Sequence, residues 1–393
     1  MTKSFTKNNL AIFALLCVYA ILFFVYNTVQ SHISFESEPL LDAHHYLKAY
    51  LYFKGELSQF SIKYPFNTRV GIPFLASLLP FEDAIINFKI VHFVFIGISI
   101  VFFHLSWKKL GFSPIYQLAF WFWYFLHWLG PVRYVMHEPI MVDTSCYLFY
   151  SLFIWLFVEQ KINYYWLLVP LSVVFKESLM PYVIILAAYY FAIVRNYRLG
   201  IRFFLYFLTG FLLLYVLKLF FPMAVYSWKY QAPIAVLWYL KELILAPLNN
   251  LRWVVALILS GSLLITLFPF QKHQLRQPEF YLFLTAALLG FASGNDHSRI
   301  YFLGIPFMML FFFKNLHDKK LLVFSIAFSI PFMHLFSTIP DITSVALYES
   351  WHPEYSTWKP ITMVFSYTLG CFLTWKVVRK LDITLPKWIH NKL

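Results

Sequence analysis

Residues 10–28, LAIFALLCVYAILFFVYNT, carry no charge. A run of this kind matches the ~20 apolar residues that cross a ~30 Å hydrocarbon layer as an α-helix. Inside lipid only a helix or a closed barrel satisfies its own backbone, so the run constrains everything behind it. Lys3 and Lys7 precede it and no small-residue cleavage site closes it, so it reads as a retained span rather than a signal peptide. Further spans are expected near 85–106, 114–130, 143–158, 163–175, 178–194, 201–221, 252–269, 279–293, 299–313, 320–338 and 360–377. Several are short, and 163–194 reads equally as one bent element or as two. The expected fold is all-α: a polytopic transmembrane helix bundle of about 10–12 spans, forming a single membrane domain over residues 1–393.

Composition agrees. The chain is 61% hydrophobic and 12% charged, whereas soluble domains carry about 25% charge. Its 46 Phe, 27 Tyr and 13 Trp suit an interfacial belt and packing surfaces. A net charge of +13 raises the question of nucleic acid, but no basic stripe lies on a soluble segment, and none is expected as a partner. Cys17, Cys146 and Cys371 are scattered through apolar runs, with neither disulfide nor metal spacing.

Membrane topology explains the basic charge. With both termini cytoplasmic, the inner segments are 1–9, 107–113, 159–162, 195–200, 270–278, 314–319 and the tail from 378. With their flanks they hold about 18 of the 31 Lys and Arg residues. The same orientation sends about 14 of the 18 acidic residues outward. The outer face is therefore where polar work is expected. Its substantial segments are 29–84, 131–142, 222–251 and 339–359. Within 29–84, LLDAHHYLKAYLYFKGEL reads as an amphipathic helix, with Leu40, Leu47, Leu51 and Phe53 on its apolar side and Lys48, Lys54 and Glu56 toward water. IKYPFNTRVGIPFLASLLP follows as a re-entrant or surface-lying turn. Residues 222–251 read as an interfacial helix.

Charged groups at or near membrane depth are costly, and five places need explaining. Asp42, His44 and His45 open the first amphipathic stretch. Asp42 suits a general base, or a metal ligand with the histidines, and its bland role is a helix cap. Asp42 and His45 share a helix face, while His44 points elsewhere. Arg69 carries a forked charge suited to phosphate, or merely snorkels to the interface. RYVMHEPIMVDTS brings His137, Glu138 and Asp143 to a span entrance, where an acid either favours the helix N-terminus or supplies a second carboxylate. Lys176–Glu177, adjacent within a largely apolar stretch, either breaks two short spans or is buried and paired with other groups. Asp296 and Arg299 form a structural pair, or Arg299 meets a lipid-linked phosphate. Phosphate-loop, dinucleotide, serine-hydrolase and zinc-protease motifs are absent from the sequence.

This combination resembles the C-type (GT-C) superfamily of integral-membrane glycosyltransferases. Asp42 in LLDAHHYL resembles the family's acid in the first outer loop, and Glu138 or Asp143 its second-loop acid. The proline- and arginine-bearing IKYPFNTRVGIPFLASLLP resembles the segment that follows in bacterial members. Lys176–Glu177 and Asp296-x-x-Arg299 resemble polar positions between later spans. The resemblance implies a GT-C-like bundle with interfacial helices in its outer loops. It implies a polyprenyl- or dolichyl-phosphate sugar as donor and a glycan or lipid hydroxyl as acceptor. It requires no cofactor, while leaving room for a divalent cation. Catalysis falls to Asp42 with Glu138 or Asp143. Binding falls to His44, His45, Arg69, His137, Lys176, Glu177, Asp296 and Arg299. The site then lies on the periplasmic or extracytoplasmic side, in a bacterial inner membrane. A polysaccharide polymerase or ligase, and a multispanning transporter or flippase, are the competing classes.

Overall fold

The computed structural model describes residues 2–33, 42–222, 273–292, 297–316 and 330–340, with a few isolated positions beyond. Every regular element among them is helical. Three helices are long and apolar enough to cross a membrane: Asn9–Val29, Ala84–Lys109 and Tyr197–Phe220. The spans expected at 252–269 and 360–377 and the interfacial helix at 222–251 lie almost wholly outside the described residues, as does part of that at 320–338, whose described end carries a 3-10 helix at Ile330–Met333.

The chain divides into two compact units, Met1–Leu110 with Pro131–Gln231, and Gly111–Gly130 with Ala232–Leu393. The first carries helices of 7 to 28 residues around a broken pair. Its helices are α1 (Thr2–Val29), α2 (Asp42–Phe53), α3 (Gly71–Ser77) and α4 (Ala84–Lys109). After the second unit's Pro114–Leu126 helix, which we label α5, it continues with α6 (Pro131–His137), α7 (Thr144–Val158), α8 (Tyr165–Phe175), α9 (Met180–Ala192) and α10 (Tyr197–Phe220).

α4 is punctuated as a long helix should be. The Asp83 carboxylate accepts from the Ile85 amide at 2.7 Å, and Lys108 and Lys109 occupy the last turn, where the helix dipole favours cations. α10 starts on an Asn196 cap and ends with Lys218 in its last turn. Ile201, Phe204, Leu205, Leu212, Tyr215 and Leu219 of α10 are exposed. An apolar stripe of that length suits contact with lipid.

α8 and α9 are too short to cross alone, roughly 16 and 20 Å at ~1.5 Å per residue. Tyr165 at the start of α8 and Tyr190 near the end of α9 both pack on Phe203 of α10, with ring centroids 5.7 and 5.4 Å apart. At the other end, Val173 of α8 and Met180 of α9 both face Gly210. α8 therefore climbs along α10 and α9 returns. Their turn lies level with Gly210, roughly 16 Å along α10 from Phe221. Of the two readings of 163–194, the structure shows two helices, closed by a 3-10 turn at Glu177–Leu179.

The segment between α1 and α4 folds into the unit instead of lying over it. Tyr46, Ala49 and Tyr50 of α2, Ile62 and Phe66 of the loop, Ile72 and Ala76 of α3, and Phe88, Val91 and Phe95 of α4 form one core cluster. The deepest face of α2 is thus Ala43, Tyr46, Ala49 and Tyr50. Leu47, Leu51 and Phe53, expected as the apolar side, are only partly buried against the same cluster. The Asn67 amide donates to the Phe221 carbonyl at 2.6 Å, tying this loop to the end of α10.

In the second unit, α5, Pro278–Ala292, His297–Leu303 and Ile305–Asn315 pack through aromatic contacts such as Tyr116 on Phe313 and His127 on Phe302. The run expected at 299–313 is interrupted at Gly304, where an added Cβ would lie 2.7 Å from that of Ala286.

Candidate functional site

The break between α8 and α9 is the centre of the polar site in the first unit. Lys176 leaves the helix with extended backbone (φ −167°, ψ 132°), and Pro181 sits in the first turn of α9, where a missing amide donor costs nothing. This turn sends two adjacent, oppositely charged side chains to different partners. Lys176 donates to Asp143 Oδ1. Glu177 receives Arg69 as a fork: Nε donates to Oε2 at 2.9 Å and Nη2 to Oε1. The four side chains are only 9–26% exposed. Two positive and two negative charges thus neutralise one another in a small, mostly dry volume. That is the condition under which buried charge is tolerated.

Arg69 extends the cluster. Its Nη1 donates to the Tyr46 hydroxyl at 3.4 Å, a long contact. Burial pushes the Tyr46 phenol well above its ordinary pKa; Arg69 opposes this, while Asp42 and Asp143 add to it. Tyr46 therefore stays protonated, and both acids act on it electrostatically. Burial alone would weaken the Arg69 charge, but Glu177 and Tyr46 more than compensate.

Asp143 occupies the cap position of α7 yet makes no side-chain capping bond; its carboxylate is turned to Lys176. The loop that aims it is held by His92 of α4. His92 Nε2 lies 2.8 Å from the Pro139 carbonyl and Nδ1 lies 2.5 Å from Thr144 Oγ1. A carbonyl only accepts, so Nε2 carries the proton and the threonine hydroxyl donates to Nδ1. His92 was not among the expected site residues. Its signal was present: an ionisable side chain in the middle of an apolar span.

Of the two second-loop acids, the structure thus brings Asp143 to Lys176. Glu138 accepts from the Tyr134 hydroxyl at 2.7 Å. On the same helix His137 is buried, its carbonyl accepting from the Ile33 amide at 3.0 Å, and Arg133 lies over the Tyr26 ring at 5.2 Å. Arg133 thus packs against α1, and the backbone of His137 is tied to the residues that follow α1.

Asp42 is in the first turn of α2 and partly exposed. His45 stacks on Phe66, with centroids 4.7 Å apart and planes 20° from parallel, and His44 meets His45 edge-on at 5.8 Å. Phe66 also receives Tyr46 edge-on, the Lys63 ammonium at 5.6 Å and the Arg69 guanidinium at 5.8 Å. It is the common platform of the α2 side chains, and sequence reading did not single it out. The His45 pKa is pushed down to about 4, chiefly by burial and then by Lys63, His44 and Lys48. His44 is lowered by burial, Lys48 and Lys63.

Arg299 lies in the second unit, partly buried on His297–Leu303, and Asp296 lies outside the described residues. Among the described residues no three His, Cys, Asp or Glu side chains gather as a metal site requires. No protein-family model, curated protein or solved structure matches this chain.

Proposed function

We propose that the chain is a GT-C-like membrane glycosyltransferase. It moves a sugar from a polyprenyl- or dolichyl-phosphate donor to the hydroxyl of a glycan or lipid acceptor on the outer side of a polytopic bundle. The observation that carries the assignment of roles is accessibility. Asp143 is buried, whereas Asp42, in the first turn of α2, is partly exposed and acts electrostatically on Tyr46, which Arg69 also meets. A base must reach the substrate proton, and Asp42 is placed to do so.

In the proposed step Asp42 takes the proton of the acceptor hydroxyl, whose oxygen forms a bond to the anomeric carbon. The bond from that carbon to the phosphate oxygen breaks, and the electron pair leaves with the lipid phosphate. Attack and departure on opposite faces invert the anomeric centre. The phosphate leaves as a stable anion, so neither a second acid nor a metal is required. The paired charges around Lys176 and Glu177 then serve as a rigid floor beneath the reacting groups.

The test is Asp42→Asn in the full chain, reconstituted in nanodiscs and supplied with polyprenyl-phosphate sugars. Transfer falls by at least ~100-fold, as loss of a general base entails, while the unfolding profile is unchanged. Undiminished transfer sinks the assignment. Donors bearing oligosaccharides rather than single sugars separate a polymerase or ligase from a monosaccharide transferase.

A second reading, a carrier, draws on the α8–α9 break. Broken helices that meet at charged residues in mid-span are how secondary transporters build substrate sites. A carrier exposes the 176–177 turn alternately to both faces. A cysteine placed at Ser178 would then react with membrane-impermeant reagents from either side, and a transferase of the proposed kind restricts that reaction to one.

A further inference from the structure

Three short segments expected on the inner side, 107–113, 159–162 and 195–200, meet at one end of the first unit. Lys109 at the close of α4 lies 3.1 Å from Glu159 at the close of α7. Lys161, two residues on, sits over the Trp155 ring, and the Tyr165 hydroxyl at the start of α8 donates to the Phe153 carbonyl at 2.8 Å. The packing of Tyr165 and Tyr190 on Phe203 adds the end of α9 and the start of α10.

This end is rich in cations and poor in partners for them. Glu159 is taken by Lys109. Arg195, Arg198 and Arg202 are exposed. Among the described residues no carboxylate lies within ion-pair distance of any of the three. Toward the opposite end Lys54, Arg69 and Lys176 each face a carboxylate.

The three arginines are also costly where they stand. Arg198 and Arg202 are four apart in the first two turns of α10, whose first turn has no acidic residue. Like charges at that spacing repel, and the helix dipole disfavours cations at this end. Arg195 follows α9 with φ 58°, in the left-handed region, and the Asn196 amide closes the helix on the Tyr190 carbonyl at 2.9 Å. Glycine takes that conformation freely and arginine does not. An anion shared by the three side chains would turn their repulsion into charge-assisted hydrogen bonds.

We infer that Arg195, Arg198 and Arg202 form a binding site for the phosphate of an anionic phospholipid in the leaflet that this end meets. The inference is independent of the proposed transfer reaction. Two observations favour a lipid over a soluble anion. Beyond Arg202, residues 203–217 of α10 carry no charge, and Leu205, Leu212 and Tyr215 are exposed along them. A headgroup at the arginines therefore has an apolar strip on the same helix for its acyl chains. Tyr164 and Trp166 by the start of α8, and Tyr197 on α10, are exposed at the same end. Exposed rings of this kind sit at headgroup depth, which sets the arginines level with lipid phosphates.

The experiment offers the purified full chain in dodecyl maltoside equal amounts of phosphatidylglycerol and phosphatidylcholine with the same acyl chains. Native mass spectrometry counts the lipids that the protein retains. Wild type retains phosphatidylglycerol in preference. Arg198→Gln and Arg202→Gln each lower that preference by about 5-fold, the factor for one arginine at an anionic surface. The double variant Arg198→Gln/Arg202→Gln loses it, with its unfolding temperature in phosphatidylcholine alone unchanged. Arg198→Lys/Arg202→Lys keeps the charge and most of the preference, and Lys54→Gln, paired with Glu56 toward the opposite end, leaves it as in wild type. Equal retention of the two lipids by wild type overturns the site, as does a Gln double variant that retains phosphatidylglycerol like wild type. If glycerol phosphate displaces phosphatidylglycerol at equal concentration, the site belongs to a soluble anion and the lipid is overturned.

Discussion

Arg69 and Glu177 stand 108 positions apart and meet through a forked ion pair inside the first unit. The residue before Glu177, Lys176, is paired with Asp143, 33 positions away. Two adjacent side chains thus anchor the α8–α9 turn to the segment between α2 and α3 and to the entrance of α7. Removing one member of a buried pair leaves its partner uncompensated; removing both leaves only a loss of specificity. Glu177→Gln and Arg69→Met should each destabilise by about 3 kcal/mol. The double variant Arg69→Met/Glu177→Met should recover most of that. Thermal unfolding in one detergent measures all three, and additive losses in the double variant would contradict the pairing.

Part of this arrangement was legible in the sequence. Lys176–Glu177 is flagged by its cost in an apolar run, and the structure realises both expected readings, a break and a pairing. Which partners it takes was not legible, because ion pairs over 33 and 108 positions are set by tertiary packing. Asp143 and Glu138 both stand near a span entrance in sequence. The grip of His92 on Pro139 and Thr144, invisible to local pattern, aims Asp143 into the site. For α2 the helix itself followed from its periodicity. Its deepest face did not, since Tyr46 and Tyr50 are buried ahead of the leucines. A phenol that reaches Arg69 or Asn87 keeps its hydroxyl satisfied in the core. The long spans α1, α4 and α10 are given by length and hydropathy, which do not sense the interruption at Gly304.

The approach of α3 to α8 depends on Gly71. A side chain there would run into the Phe175 ring. Phe95 and Phe149, with centroids 5.5 and 5.3 Å from that ring, leave it little room to retreat. Gly71→Ala should cost about 1–3 kcal/mol, the usual penalty of overpacking. Phe175→Leu in the same chain should return part of it. A double-mutant cycle on unfolding midpoints checks this, and strict additivity would argue against the contact.

His92 acts through Asp143 and is a positioning residue. His92→Phe leaves the Thr144 hydroxyl and the Pro139 carbonyl unsatisfied in a buried place, costing about 2 kcal/mol. If its role is to aim Asp143, the loss should shrink when Asp143→Asn is already present, with a coupling above ~0.5 kcal/mol. His92→Gln, which can both donate and accept, should restore part of the stability. A cycle with zero coupling would reduce His92 to a packing residue.

The His45 pKa sets a pH window for stability. Burial and the charges of Lys63, His44 and Lys48 lower it from 6.5 to about 4 in the folded chain. Between these values the unfolded chain binds more protons than the folded one, so acid favours unfolding. The contribution is fully present above pH 6.5 and is lost as pH falls toward 4. Wild-type unfolding temperature should therefore drop more steeply over that interval than that of His45→Gln, which has no proton to gain. His44 is present in both proteins and cancels in the comparison. Lys63→Gln, which removes the larger of the two lysine contributions, should bring the lower edge of the window up toward 6.5. Parallel pH profiles for wild type and His45→Gln would show that His45 is not held neutral by its stack on Phe66 and its cationic neighbours.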